Sequence, residues 1–353
     1  MKTLIIGGGL CGLALARLLD RSGADVQLVE AEGRFGGRIL AGHHGGAAFD
    51  LGPAWFWPGQ PRIADLIDQL GLTSFEQFAT GDLMFEDATG QVHRGQGFAS
   101  MEGSLRLQGG LTALVTALVN SLPQGCARLN APVRSLDLLS DGIRATGVDG
   151  ASFTADRVVL AVPPRLARTL TLSPALPVAA QAELGNIPTW MAGQAKVVAV
   201  YPTPFWREAG LSGDAMSRRG PLVEIHDASP AQGGPFALFG FVGVPPEARR
   251  DDTALRQSVV TQLTRLFGPK AANPEALFVK DWARAPHTAV AADLTPVHAH
   301  PTYGLPATLR DLWGGRLIVS GTETAPHFGG FLEGALEAAE AAAQTLARMD
   351  TPA

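Results

Sequence analysis

The sequence predicts an α/β fold organised around an N-terminal dinucleotide-binding βαβ unit, and three features of residues 2–30 predict it. Leu4-Ile5-Ile6 reads as a buried strand. Gly7, Gly9 and Gly12 read as a tight turn opening an apolar helix that starts with Leu10 and Cys11. Val26-Gln27-Leu28-Val29 then reads as a second, parallel strand, and it ends in an acid, Glu30.

In such a unit Gly7 permits the turn off the strand, Gly9 lets backbone approach a pyrophosphate, and Gly12 lets the helix pack closely on the sheet. The unpaired N–H groups and positive end of the helix then face the phosphates. Glu30 stands where a carboxylate accepts hydrogen bonds from ribose hydroxyls, and no Arg follows it directly, so a 2′-phosphate is not expected. A glycine turn with no nucleotide is the competing reading of so short a pattern, but strand, helix and acid all agree. This stretch alone leaves NAD and FAD open.

The chain has 353 residues, enough for two domains or one elaborate one. A hydrophobic share of 46% with 17% charged residues suits buried parallel strands. The formal net charge of −5 offers no basic surface for nucleic acid or anionic lipid. Two cysteines, Cys11 and Cys126, make a disulfide framework improbable and point to a reducing, cytoplasmic setting. The glycine spacing explains the apolar N-terminus better than a secretory signal does. No stretch approaches about twenty consecutive apolar residues, so no membrane span is expected.

After Glu30, Gly36-Gly37-Arg38 sets a guanidinium beside flexible backbone, suited to a second clamp on a diphosphate or to a plain surface turn. Asp50-Leu51-Gly52 is followed by Trp55, Phe56 and Trp57, which read as a core plug or a pocket wall.

Together, the glycine turn, Glu30, Gly36-Gly37-Arg38 and Asp50-Leu51-Gly52 with Trp55 resemble the N-terminal signature of the flavin-containing amine oxidase family, which includes the monoamine and polyamine oxidases. The resemblance implies a glutathione-reductase-type, Rossmann-like FAD-binding domain and a second, α+β substrate-binding domain. The implied division is discontinuous: 1–57, 105–185 and 283–353 hold FAD, while 58–104 and 186–282 form the substrate domain.

A helix is expected over 63–70 before Gly71, strands at 83–85 and 92–93, and a core helix with apolar residues at 111, 114, 115, 118 and 119. Residues 127–164 read as a short β-meander and a buried strand stopped by Pro163 and Pro164. The resemblance places the backbone of Val133 against the adenine. Lys196 heads an apolar strand, where burial is costly unless its hydrogen bonds are accepted. By physics alone it can snorkel to solvent at the strand end. The resemblance instead implies that it reaches through a water to flavin N5, with Phe205-Trp206-Arg207 following.

Further strands are expected at 237–242 and 277–282, with an amphipathic helix over 255–267 between them. The closing segment runs from strand 317–319 through Gly321-Thr322-Glu323-Thr324 to a long Ala/Glu-rich helix. It resembles the family's C-terminal motif, which implies Thr322 and Glu323 near the diphosphate, and Phe331 and Leu332 at a helix N-terminus aimed at the flavin. A positive helix end there favours the charge of a reduced flavin.

The segment after Trp282 departs from the family, for 283–290 holds neither cysteine nor tyrosine, so FAD is expected to be non-covalent. Phe331 stands where the family has a second caging tyrosine. Trp55, Trp57, Trp190, His300, Tyr303, Phe328 and Phe331 are the candidate pocket residues. His298, His300 and Tyr303 have no third metal ligand nearby in sequence, and no metal is expected. The expected activity is FAD-dependent oxidation of an amine C–N bond, with oxygen or another acceptor reoxidising the flavin. The alternatives are a desaturase or oxidase of a non-amine molecule, and a non-catalytic FAD protein. Oligomeric state is not readable from these residues.

Overall fold

The computed structural model describes residues 1–295, 297 and 299–350. His298, named above with His300 and Tyr303, lies outside the described residues. The chain opens with β1 (Lys2–Ile6), α1 (Leu10–Arg21) and β2 (Asp25–Val29), followed by the hairpin β3 (Ala41–His44) and β4 (Ala47–Asp50). Next come α2 (Pro61–Gln69), β5 (Ser74–Glu76), β6 (Asp82–Glu86), β7 (Val92–Arg94), β8 (Leu105–Leu107) and α3 (Leu111–Asn120). A strand-rich stretch holds β9 (Ala127–Arg128), β10 (Val133–Leu138), β11 (Ile143–Gly147), β12 (Ser152–Ala155) and β13 (Arg157–Leu160). Then follow α4 (Pro164–Ala167), β14 (Thr171–Ser173), α5 (Val178–Asn186), β15 (Ala195–Tyr201), α6 (Phe205–Glu208), β16 (Leu211–Ser217) and β17 (Leu222–Asp227). The last elements are β18 (Phe236–Val242), α7 (Asp252–Phe267), β19 (Ala276–Asp281), β20 (Leu317–Val319) and α8 (Leu332–Asp350).

The first sheet has strand order β20-β13-β1-β2-β9, all parallel. Side-chain alternation sends Ile5 and Leu4 to opposite faces, and both are fully buried. Ile5 meets a core built with α1, α3 and α8; Leu4 meets one built with the sheet β12-β11-β10-β14 and α5. Cover on both faces is why the runs Leu4-Ile5-Ile6, Val158-Val159-Leu160 and Leu317-Ile318-Val319 are continuously apolar. β13 belongs here rather than with the β10–β12 meander, pairing in parallel with β1 and β20, and all four of its residues are buried.

The second large sheet has the order β19-β15-β18-β17-β16-β6-β7. Ala195, Val197, Ala199 and Tyr201 of β15 face α7, whereas Val198 and Val200 face Phe49, Leu51 and Trp55. Lys196 shares the second face, so a slip of one residue would drive its ammonium into the α7 core. β16 and β17 escape sequence patterning because their buried positions include Asp214 and His226.

α2 starts at Pro61, ahead of the expected 63, since proline suits the first helical position. Its own N-cap residue, Gln60, supplies no side-chain cap. Glu333 of α8 does so instead, accepting from Arg62 N (3.1 Å), Ile63 N (2.9 Å) and Arg62 Nη1 (3.2 Å). Among the described residues no helix is long and apolar enough to cross a membrane.

Candidate active site

A cavity of about 560 Å³ lies between the two large sheets and the start of α8. Its lining includes Gly7, Gly9, Leu10, Cys11 and Glu30 from the βαβ unit, and Gly36, Gly37 and Arg38 from the loop after it. Thr322, Glu323, Phe331 and Leu332 line it from the C-terminal segment, and Lys196 from β15. Gly12 does not line it: a Cβ there would stand 1.9 Å from the Gly7 carbonyl oxygen, so its role is close packing of helix on strand. A Cβ on Gly9 would meet nothing within 4 Å, which leaves the turn open to a ligand. Val133 does not line the cavity either; it begins β10, opposite Gly147.

Backbone fixes Glu30, whose carboxylate accepts from Gly8 N (2.7 Å) and Glu32 N (2.8 Å). Arg38 is no free surface arginine, because its Nη1 donates to Glu323 Oε1 at 2.7 Å. Glu323 is fully buried, and its Oε2 has no hydrogen-bond partner. A buried orphan acceptor is costly, and a hydroxyl-bearing ligand beside it removes that cost. Together with the open glycine turn, this acceptor fits a dinucleotide with a polyol arm. Thr322 Oγ1 donates to the Phe331 carbonyl at 2.8 Å and ties the Gly-Thr-Glu-Thr turn to the head of α8.

Lys196 is 6% exposed, which excludes the snorkelling alternative. Its Nζ donates to the Gly52 carbonyl. Burial pushes its pKa down from 10.5 to about 7, and Asp50 and Glu224 pull it back only in part. Asp50 is pushed up to about 6 by burial, against the pull of Arg106, the Leu111 N–H and Lys196. Its carboxylate accepts from Leu111 N at 2.9 Å at the head of α3.

Of the aromatic candidates, Trp55, Trp57, Trp190, His300 and Phe331 line the cavity, whereas Tyr303 and Phe328 do not. Four of them form a chain of ring contacts: Trp57 to Phe331 at 6.4 Å, Phe331 stacked on His300 at 5.2 Å, and His300 to Trp190 at 5.0 Å. Tyr303 supports this wall from behind, donating to Pro188 O (2.8 Å) and accepting from Trp190 N (2.9 Å). Phe328 contributes backbone, its carbonyl accepting from Phe331 N at 3.1 Å.

Sequence reasoning missed Met101, Met191, Gln194 and Phe241 as lining residues and noted Trp282 only for its place in the chain. Trp282 donates to the Leu51 carbonyl at 2.8 Å, joining β19 to the segment after β4. Phe241 reaches the cavity through the register that sets β18 against β15, opposite Lys196, and Met191 through a turn with φ +60°; neither is a signal carried by residue type. Also missed was His226, buried between Asp214 (2.6 Å) and Glu224 (3.0 Å). Burial disfavours its charged form, but the two carboxylates outweigh that and raise its pKa. Among the described residues no cluster of His, Cys, Asp or Glu is arranged to hold a metal ion.

The cavity joins the glycine turn of a Rossmann-like parallel sheet to a buried lysine, and fold and lining together define the class of nucleotide-coenzyme enzymes. The sequence profile described as flavin containing amine oxidoreductase matches residues 77–347, and one for an NAD(P)-binding Rossmann-like domain matches residues 5–70. The chain belongs to the flavin-containing amine oxidoreductase family and is an FAD-dependent enzyme of that class. It is 23% identical to the probable flavin-containing monoamine oxidase A of Dictyostelium discoideum, over 95% of this chain and 94% of that protein. It is also 23% identical to putrescine oxidase of Kocuria rosea, over 84% of this chain and 86% of the relative. Among solved structures, putrescine oxidase bound to putrescine superposes with a TM-score of 0.81 (21% identity, 99% of each chain). Cyclohexylamine oxidase from Brevibacterium oxydans IH-35A superposes with 0.84 (20% identity, 99% of each chain).

Proposed function

We propose that this enzyme oxidises a small amine at its C–N bond, and that the cavity holds FAD with its adenosine at Glu30 and its reactive ring at Lys196. One observation carries the reading: the glycine turn, the orphan acceptor of Glu323 and the buried Lys196 all line the same cavity. Gly7, Gly9, Leu10, Cys11, Gly36, Gly37, Arg38, Thr322 and Glu323 would hold the diphosphate and sugar portion, with Phe331 and Leu332 at the ring. Bound FAD supplies the two-electron acceptor for a hydride equivalent leaving the α-carbon of the amine. The resulting imine is released to water as a carbonyl compound and ammonia or a smaller amine.

The protein's own contribution is position and dryness. Trp57, Trp190, His300 and Phe331 line the cavity and orient the substrate's apolar part. Lys196 holds a water at the reacting face and, with a pKa near neutrality, trades its proton there during reoxidation by oxygen or another acceptor. The coenzyme is non-covalent, a reading supported by 283–290, which has no cysteine, and by Cys11 and Cys126, both free and buried. Free cysteines also support a cytoplasmic site of action. Residues 1–57, 105–185 and 283–353 form the FAD-binding part and 58–104 and 186–282 the substrate part. Support comes from the parallel sheet, drawn from the first group, and the seven-stranded sheet, drawn from the second. Partners beyond a small molecule and an acceptor are not required, neither nucleic acid nor membrane among them.

The test is a visible spectrum of the purified protein followed by anaerobic mixing with a panel of amines. Bleaching by an amine, slowed sharply in either half-reaction by Lys196→Met, is expected. A protein that neither carries nor takes up FAD, or one that no amine bleaches, refutes the proposal.

A further inference from the structure

Strand register builds an aromatic enclosure around Lys196. Across β15, β18 and β17, Lys196 lies opposite Phe241 and Phe241 opposite Glu224. In the next row on the same face, Val198 lies opposite Phe239 and Phe239 opposite His226. Trp55 closes over both rows, its ring 5.1 Å from Phe239, 6.3 Å from Phe241 and 5.4 Å from His226. The Lys196 Nζ therefore stands 4.8 Å from the ring centroids of Phe239 and Phe241 and 5.5 Å from that of Trp55. All three lie within the reach of about 6 Å over which a ring face attracts a cation.

The charged groups around this enclosure come from several elements. Asp50 ends β4, and Glu224 on β17 accepts from Ser100 and lies 3.0 Å from His226, which bridges to Asp214 on β16. Lys280, opposite Lys196 on β19, lies over Trp282 at 4.7 Å. Arg106 on β8 is turned to the carbonyls of Ala228 and Ser229. Among the described residues none of the carboxylates forms an ion pair with Lys196, whose nearest support is one carbonyl and three rings.

We propose that Phe239 and Phe241, with Trp55, are positioning residues that bind the ammonium form of Lys196 through their ring faces and hold it at the Gly52 carbonyl. The inference rests on the reading of Lys196 as the group that works at the flavin, and it assigns three residues to keeping that group charged in a dry site. A cation clamp and a mere hydrophobic seal have opposite consequences. Removing a ring from a seal admits water and lets the lysine pKa rise towards its ordinary value. Removing a ring from a clamp strips support from the cation and lowers it.

The chain has four lysines, Lys2, Lys196, Lys270 and Lys280, so protein labelled with ¹³Cε-lysine yields a spectrum in which each can be followed. In the FAD-loaded protein, the signal missing from Lys196→Met belongs to Lys196, and its shift against pH gives the titration midpoint. Phe241→Leu and Phe239→Leu are each expected to lower that midpoint by about one pH unit, a tenfold change in the ratio of ammonium to amine. Should either fail to fold, Phe241→Met or Phe239→Met, which keeps bulk but not the ring face, carries the same expectation. Unmoved signals from the other three lysines show that the fold is intact. Phe241→Trp is expected to restore the midpoint. A midpoint that stays or rises in the Leu and Met variants overturns the clamp. Unchanged half-reaction rates in Lys196→Met, alongside lowered midpoints in the Phe variants, would instead leave the clamp standing and remove Lys196 from the chemistry.

Discussion

Replacing Lys196 with methionine removes a buried charge while keeping chain length, and it is expected to make the coenzyme-free protein more stable even as the enzyme slows. The fall in pKa from 10.5 to about 7 corresponds to roughly 5 kcal/mol at 1.36 kcal/mol per unit. The folded value lies below the unfolded one, so between pH 7 and 10.5 the unfolded chain binds the extra proton. The parent's stability must therefore climb with pH through that window, and the cost of the buried amine is fully expressed below it. Loss of the Gly52 hydrogen bond, and of the cation that eases Asp50, takes back part of the gain. A net stabilisation on the order of 2–4 kcal/mol at pH 7, dwindling towards pH 10.5, is the expectation. Unfolding of parent and variant apoprotein by denaturant at pH 7, 8, 9 and 10 measures it. A variant no more stable at pH 7, or a gain that fails to shrink with rising pH, refutes the reasoning.

Two further substitutions separate coenzyme binding from folding. Gly9→Ala adds a methyl into open space, so the apoprotein should unfold within about 0.5 kcal/mol of the parent while FAD affinity falls by ~10-fold or more. Gly12→Ala drives its Cβ to 1.9 Å from the Gly7 carbonyl and should instead destabilise the apoprotein by about 1–3 kcal/mol or more; equal unfolding midpoints for the two would contradict the packing described. Arg38→Met strands the buried Glu323 carboxylate and should cost about 3–5 kcal/mol. Adding Glu323→Gln should recover much of that loss, and a double-mutant cycle that is simply additive would argue against the pair.

The N-terminal unit and the C-terminal turn were legible because their chemistry is local: glycine spacing, a strand, an acid, and a Gly-Thr-Glu-Thr run before a helix. What escaped was what depends on distant partners. Lys196 is legible as a lysine needing an acceptor, but its partner is not: Gly52, 144 residues away, supplies the carbonyl that receives it. β16 and β17 hide because Asp214, His226 and Glu224 satisfy one another in the core, so no polar-apolar alternation survives. Trp190, Trp57 and Phe331 were candidates as rings, but Tyr303 proved a support for the wall, its hydroxyl already committed to the backbone of 188–190. Residue type alone cannot distinguish a ring that faces a cavity from one that braces it.

The parallel sheet is assembled from pieces far apart in the chain, and this bears on how the protein comes into being. β13 pairs with β1 on one side and β20 on the other, yet β20 arrives roughly 160 residues after β13, some 10–30 s later at ordinary rates of translation. Until then the β13 edge is open and the surface that α8 covers on α1 is bare. Long-range pairing of this kind is slow and leaves apolar strands exposed to misassembly. That edge stays unpaired until the C-terminal segment has been made, and the cavity, lined in part by Thr322, Glu323, Phe331 and Leu332, is completed only then.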